Sequence, residues 1–158
     1  MLLLNVAAVL FMAGFIWTMQ LVHYPLLDRV GADAFPAYEQ AHNRLFFLVA
    51  GPGVIATLAT GVLLLFARPL QVPLWAVLLG LALFVVIAAS TALFQAPQHQ
   101  TLSGGFDRGA YEFLLRTNWI RTAAWSIYAL LGLWMVWQTI HSDALGGFLG
   151  LPRRFSGP

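Results

Sequence analysis

Four apolar stretches constrain this chain more than any other feature: residues 2–22, 45–67, 74–94 and 119–140. Each is long enough to cross the roughly 30 Å hydrocarbon core as a helix rising about 1.5 Å per residue. Lipid offers no hydrogen bonds to the backbone, so such segments must be helical. The expected fold is all-α: a four-transmembrane-helix bundle, one domain over residues 1–141, with a flexible tail over 142–158. Charge content agrees. Only 9% of residues are charged, against about 25% in soluble domains. That is too little to cover a water-facing surface. The small excess of 8 basic over 6 acidic residues bears on membrane orientation. No basic cluster with interleaved aromatics marks a nucleic-acid groove. With Cys 0, disulfides, thiolate ligands and a cysteine nucleophile are excluded.

The connections refine this picture. No lysine or arginine precedes the first stretch, and it ends in Trp17-Thr18-Met19-Gln20. It is read as an uncleaved helix and not as a signal peptide. Trp17 and Tyr24 suit the aromatic belt of a membrane interface. His23-Tyr24-Pro25 is expected to close the span, because a residue before proline avoids helical geometry. Asp33 is placed to cap the second helix, with Pro36 in its first turn. Gly51-Pro52-Gly53 is expected to kink that helix. Gly53, Thr57 and Gly61 form a small-residue stripe for close packing. Ser90 and Thr91 are expected to bond their own helix backbone. Asp107 is placed to cap a last helix whose first turns project from the bilayer. Asp28-Arg29 and Tyr38-Glu39 are echoed by Asp107-Arg108 and Tyr111-Glu112, which suggests two related helical hairpins.

The polar residues gather at one membrane face. The heptad Tyr38-Glu39-Gln40-Ala41-His42-Asn43-Arg44 stands directly before the second apolar stretch. Gln20 with His23, Gln95 with His99, and Asn118 with Arg121 stand at the matching ends of the other three. His23, His42 and His99 thus come from three helix ends, and cofactor sites in bundles are built from facing helices. Neutral imidazole ligates Zn, Cu and Fe. Three converging imidazoles, with Glu39 or water completing the shell, would hold such an ion. Two imidazoles facing each other across a flat cavity would hold haem. Glu39 or Gln95 could orient a ligating ring. The competing reading is a hydrogen-bonded polar cap sealing the bundle end. No two histidines share the short spacing of a His-Glu-x-x-His helix, so all three readings stay open.

Arg121 lies inside the fourth stretch, where an unpaired arginine costs about 2.5–3.5 kcal/mol. It needs a partner, with Glu39 and Glu112 as the available carboxylates, or it must snorkel. Functionally it would anchor an anionic or carbonyl-bearing ligand, with Asn118 beside it. Glu39, Gln95, Asn118, Arg121, Gln20 and Tyr38 are the residues expected to support the site or contact a substrate.

Asn118-Trp119-Ile120-Arg121-Thr122, followed by an apolar span, resembles the last-span signature of small four-helix membrane proteins grouped with anthrone oxygenases. His23-Tyr24-Pro25 resembles a turn after the first span in small bacterial membrane proteins. The likeness covers the span pattern over most of the chain. It implies at most an oxygenase-like activity on a lipophilic aromatic substrate, and it aligns the histidines with no established active site.

Two function classes follow. One is a membrane oxidoreductase whose His23, His42 and His99 hold a metal ion or haem, and whose lipophilic substrate enters from lipid. The other is a non-catalytic subunit, holding a cofactor or assisting assembly in a membrane complex or homo-oligomer. A transporter fits less well, since no charge lies at a span centre. Four spans put both termini on one side. With Arg44 and Arg121 set aside as site residues, Arg29, Arg108 and Arg116 face Arg68, Arg153 and Arg154 across the membrane. The N-terminal amine tips the termini to the cytoplasm. The expected location is a bacterial inner membrane, with the histidine site outside.

Overall fold

The computed structural model describes residues 1–148, with side chains described to His141. Its helices are α1 (Leu2–Thr18), α2 (Phe35–Ala67), α3 (Leu74–Ser90), α4 (Ala96–Leu102) and α5 (Arg108–Phe148). Among the described residues four helical segments are long and apolar enough to cross a membrane: Leu2–Arg29, Phe35–Ala67, Leu74–Leu102 and Arg108–His141. The fold is an all-α four-helix bundle of an integral membrane protein. The helical backbone of α5 passes the expected end of the fourth span. The rest of the tail lies outside the described residues.

The helices form a closed ring. α1 packs against α2 and α5, and α3 packs against the same two helices. Outward side chains are apolar, as lipid requires: Phe47, Leu48, Ile55, Phe66 and Leu130 are all largely exposed. Inside, small residues let the backbones close. A Cβ on Gly80 would lie 2.7 Å from Cε2 of Tyr128, and one on Gly61 would lie 3.3 Å from its hydroxyl. The expected stripe of Gly53, Thr57 and Gly61 is therefore a packing surface. Gly53 meets Met12, and Thr57 is fully buried. Asn5 ties three helices together here. Its amide donates to the Thr57 carbonyl at 3.1 Å, to Thr60 Oγ1 at 2.9 Å and towards the Tyr128 hydroxyl at 3.4 Å.

Several local expectations are corrected. Tyr24-Pro25 does not end the first helical segment. Tyr24 keeps helical angles, φ −64 and ψ −42, and a 3₁₀ helix carries the chain to Arg29. The winding changes instead. A π-helical turn, Met19–His23, precedes Pro25, and its exit is the Tyr24 N–H bonded to the Met19 carbonyl. The same device recurs in the third span. A π turn, Thr91–Gln95, precedes Pro97, and the Ala96 N–H bonds the Thr91 carbonyl. Proline clashes with the carbonyl four residues back, here Leu21 or Leu93. Widening the turn by one residue relieves that clash without leaving the helix. The first and third spans are thus alike in their π turns.

Asp33 does not cap α2, whose N-cap is Ala34 with no side-chain bond. Asp107 does cap α5: Oδ1 accepts from the Ala110 N–H at 2.7 Å. α2 continues through Pro52 as a single helix. Thr91 bonds its own helix at the Ile87 carbonyl, 2.8 Å. Ser90 does not, and donates to Gln95 Oε1 at 3.0 Å.

Candidate metal centre

The two π turns and the N-terminal half of α2 rotate polar side chains inward at one level. The result is a polar layer between two apolar clusters. Below it lie Val9, Met12, Ile16, Phe84 and Trp125 with their neighbours. Above it lie Leu27, Phe35, Leu102, Tyr111 and Leu114. The polar residues therefore do not cap the bundle end, as one reading expected. An apolar cluster seals them in.

The three imidazoles converge. His23 and His42 stack with ring centroids 4.5 Å apart and planes 24° from parallel. His42 and His99 lie 5.2 Å apart. Glu39 is fully buried, and its Oε1 lies 2.6 Å from Nδ1 of His99. Glu39, His42 and His99 each offer one ligand atom within 4.8 Å of the others, a group that could hold a metal ion. This group contains His42 and His99 of the expected three, with Glu39, which was expected to complete the shell; His23 is not in it. His23 remains stacked on His42 and, at 6.2 Å, on Tyr38. Both histidines and Tyr38 line a cavity of about 260 Å³ between α1 and α2.

A chain of hydrogen bonds runs behind these ligands. Arg121 Nη2 donates to the Tyr24 hydroxyl at 3.1 Å. That hydroxyl lies 3.3 Å from His99 Nε2. His99 thus has both ring nitrogens in hydrogen bonds, Nδ1 with Glu39 and Nε2 with Tyr24. Asn43 donates to Glu39 Oε1 at 3.4 Å and to Ser103 Oγ at 3.2 Å, tying α2 to the end of α4.

Arg121 is buried and points inward, and it does not snorkel. Its expected ion pair with Glu39 or Glu112 is not formed. Nε donates to Asn118 Oδ1 at 2.8 Å, Nη2 bonds the same oxygen, and Nη1 reaches Thr91 Oγ1 at 3.4 Å. Asn118 donates in turn to Gln20 Oε1 at 2.7 Å, and Gln20 donates to the Leu115 carbonyl at 3.2 Å. Gln95 is fully buried beside this layer. Arg44 is exposed and stands apart. Glu112 pairs at the surface with Arg108 and Arg116.

Sequence reasoning misplaced Tyr24. It is no interfacial belt residue but a fully buried link between Arg121 and His99. Its neighbour Pro25 was the available signal, since a proline after an apolar span can wind the helix differently and turn the residue before it inward. Trp17 does sit at the surface, edge-on to Trp119 at 5.6 Å, as a belt residue would.

Four buried atoms of this layer lack a hydrogen-bond partner: Glu39 Oε2, His42 Nε2, His23 Nε2 and Gln95 Nε2. Each such atom costs about 1–3 kcal/mol if left bare. Two of them belong to the metal-capable group, so a bound cation would satisfy atoms that the protein does not. Comparison with protein-family models, with curated proteins and with solved structures finds no match.

Proposed function

We propose that this protein is a membrane metalloprotein that holds a redox-active metal ion at Glu39, His42 and His99 and acts as an oxidoreductase on a lipophilic substrate. The observation that carries the reading is the largely buried group of two imidazoles and one carboxylate, in which Glu39 Oε2 and His42 Nε2 have no hydrogen-bond partner; His99 would bind through a nitrogen now bonded to Glu39 or Tyr24. Two histidines and one carboxylate with open positions form the donor set of non-haem ferrous oxygenases. Iron held there would supply dioxygen chemistry. The protein's own share is to orient Glu39 through Asn43 and His99 and to exclude water with the apolar cluster above. Haem is disfavoured, because the stacked His23 and His42 rings leave no gap for a macrocycle. Copper uses the same donors and is decided by measurement, whereas zinc, which has no redox chemistry, would count against the oxidoreductase reading. An oxygenase-like activity on a lipophilic aromatic compound is also what the resemblance at Asn118–Thr122 implies.

The test is metal analysis of the full chain purified in detergent, followed by oxygen uptake with lipophilic aromatic substrates. One ferrous ion per chain is expected. Glu39→Gln and His42→Ala should each weaken binding by more than the about 10–100-fold of an outer-shell change. His141→Ala should not alter it. Binding should also weaken on acidification, because ligating imidazoles must be unprotonated. Metal without turnover would favour the cofactor-holding subunit. No metal under any condition would leave a structural, water-filled polar layer.

A further inference from the structure

Arg121 is the only guanidinium buried among the described side chains, 4% exposed, and no carboxylate lies within ion-pair distance of it there. Glu39 reaches it only through His99 and Tyr24. Its direct partners, Asn118, Tyr24 and Thr91, are neutral oxygens. A guanidinium has five N–H donors, and four are used, two of them on the one Asn118 oxygen. The fifth is on Nη1. Arg121 and Thr91 line two cavities. One, about 240 Å³, contains His42, His99 and Gln95. The other, about 320 Å³, is apolar and runs between α2 and α3. Its inner wall is buried Met12, Ile16, Phe84 and Trp125, while Phe47 and Ala88 at its outer edge are exposed on the lipid-facing surface.

We infer that this cleft is a lateral binding site for a long-chain carboxylate that enters from the membrane between α2 and α3. Its head is held by Arg121 Nη1 and its chain by the apolar cleft. Three observations support this occupant. A buried cation without a carboxylate selects an anion over a neutral head. The single unused N–H, on Nη1, matches one carboxylate oxygen. The outer edge opens where acyl chains lie, so a chain longer than the cavity can continue into lipid. The inference narrows the lipophilic substrate of the site proposed above to this acid class, in place of an aromatic compound, and rests on that reading for its role in catalysis. Binding itself does not require the metal.

The experiment uses the full chain in nanodiscs with no metal added, at alkaline pH. Tryptophan quenching by dibrominated stearate is compared with that by the matching brominated stearyl alcohol. Saturable quenching is expected for the acid, with affinity about tenfold or more above the alcohol, the effect of one charge-assisted bond. Trp125→Phe should remove most of the quenched signal. Ala88→Phe, at the exposed edge, should block quenching while the fold stays intact. Arg121→Gln should abolish the preference for the acid. Equal quenching by acid and alcohol in the parent protein would overturn the inference, as would a saturable component that survives Ala88→Phe; exposed Trp17, Trp75, Trp119 and Trp137 contribute only a non-saturable background. Failed metal loading with acid-selective quenching would sink only the metal centre, and the reverse result only this site.

Discussion

A fully buried phenol must place its hydroxyl proton, and Tyr24 places it between a guanidinium and an imidazole. The bond holds the His99 ring, and with it the edge that His99 turns to Glu39. Tyr24→Phe keeps the ring and its packing but strands one Arg121 N–H and His99 Nε2 in the interior. A loss of about 1–3 kcal/mol is expected, read as a lower melting temperature in detergent. Unchanged stability would mean that water replaces the hydroxyl. The residue identities of the site were legible beforehand: the three histidines, Glu39, Gln20, Gln95, Asn118 and Arg121 all lie in or beside one layer. Their pairing was not. That Glu39, His42 and His99 stand close enough to hold an ion together, while His23 stacks on His42, depends on side-chain directions that only packed helices define.

At the scale of the element, proline-linked π turns set the rotation of the polar side chains. The Thr91–Gln95 turn places Gln95 inward and precedes the helix that carries His99. Pro97→Ala would restore an N–H and remove the ring that crowds the Leu93 carbonyl. The turn should then revert to α winding and rotate Gln95 and His99 out of register. Weaker metal binding with unchanged helical circular dichroism is the expected result, whereas full metal affinity would show that the π turn is set by tertiary contacts alone. Gly80 tests the packing half of the argument. Tyr128 is held by its packing and its contact with Asn5, so it cannot retreat from a Cβ at 2.7 Å. Gly80→Ala should cost about 1–3 kcal/mol by overpacking. Thermal unfolding in detergent measures it.

Across the whole molecule, a narrow polar layer sits near one end of a ring of four spans. α2 and α5 exceed the bilayer core: 33 and 41 residues correspond to roughly 50 and 60 Å at about 1.5 Å per residue. Their N-terminal turns carry the apolar cluster that covers the site. This arrangement predicts sidedness. Cysteines at Gly31 and Gly104, both in connections on the site side, should label from the same face, and one at exposed Leu70 from the other. Labelling of positions 31 and 70 from one side would sink the four-span topology. The same assay reads the orientation.

The sequence by itself determined the class, because hydrocarbon allows only self-satisfied helices over four apolar stretches of that length. It also determined that polar groups collect at one level, since each span carries them at the matching end. Local rules failed where lipid and neighbouring helices outweighed them. Tyr24-Pro25 stays helical because a membrane span cannot leave its backbone bare. Only the tertiary structure decided that α1 neighbours α5, that an apolar cluster covers the histidines, and that Arg121 faces an amide, a phenol and a hydroxyl instead of a carboxylate. Those outcomes follow from which helix faces meet, and the uniformly apolar spans carry too little periodic asymmetry to encode that choice locally.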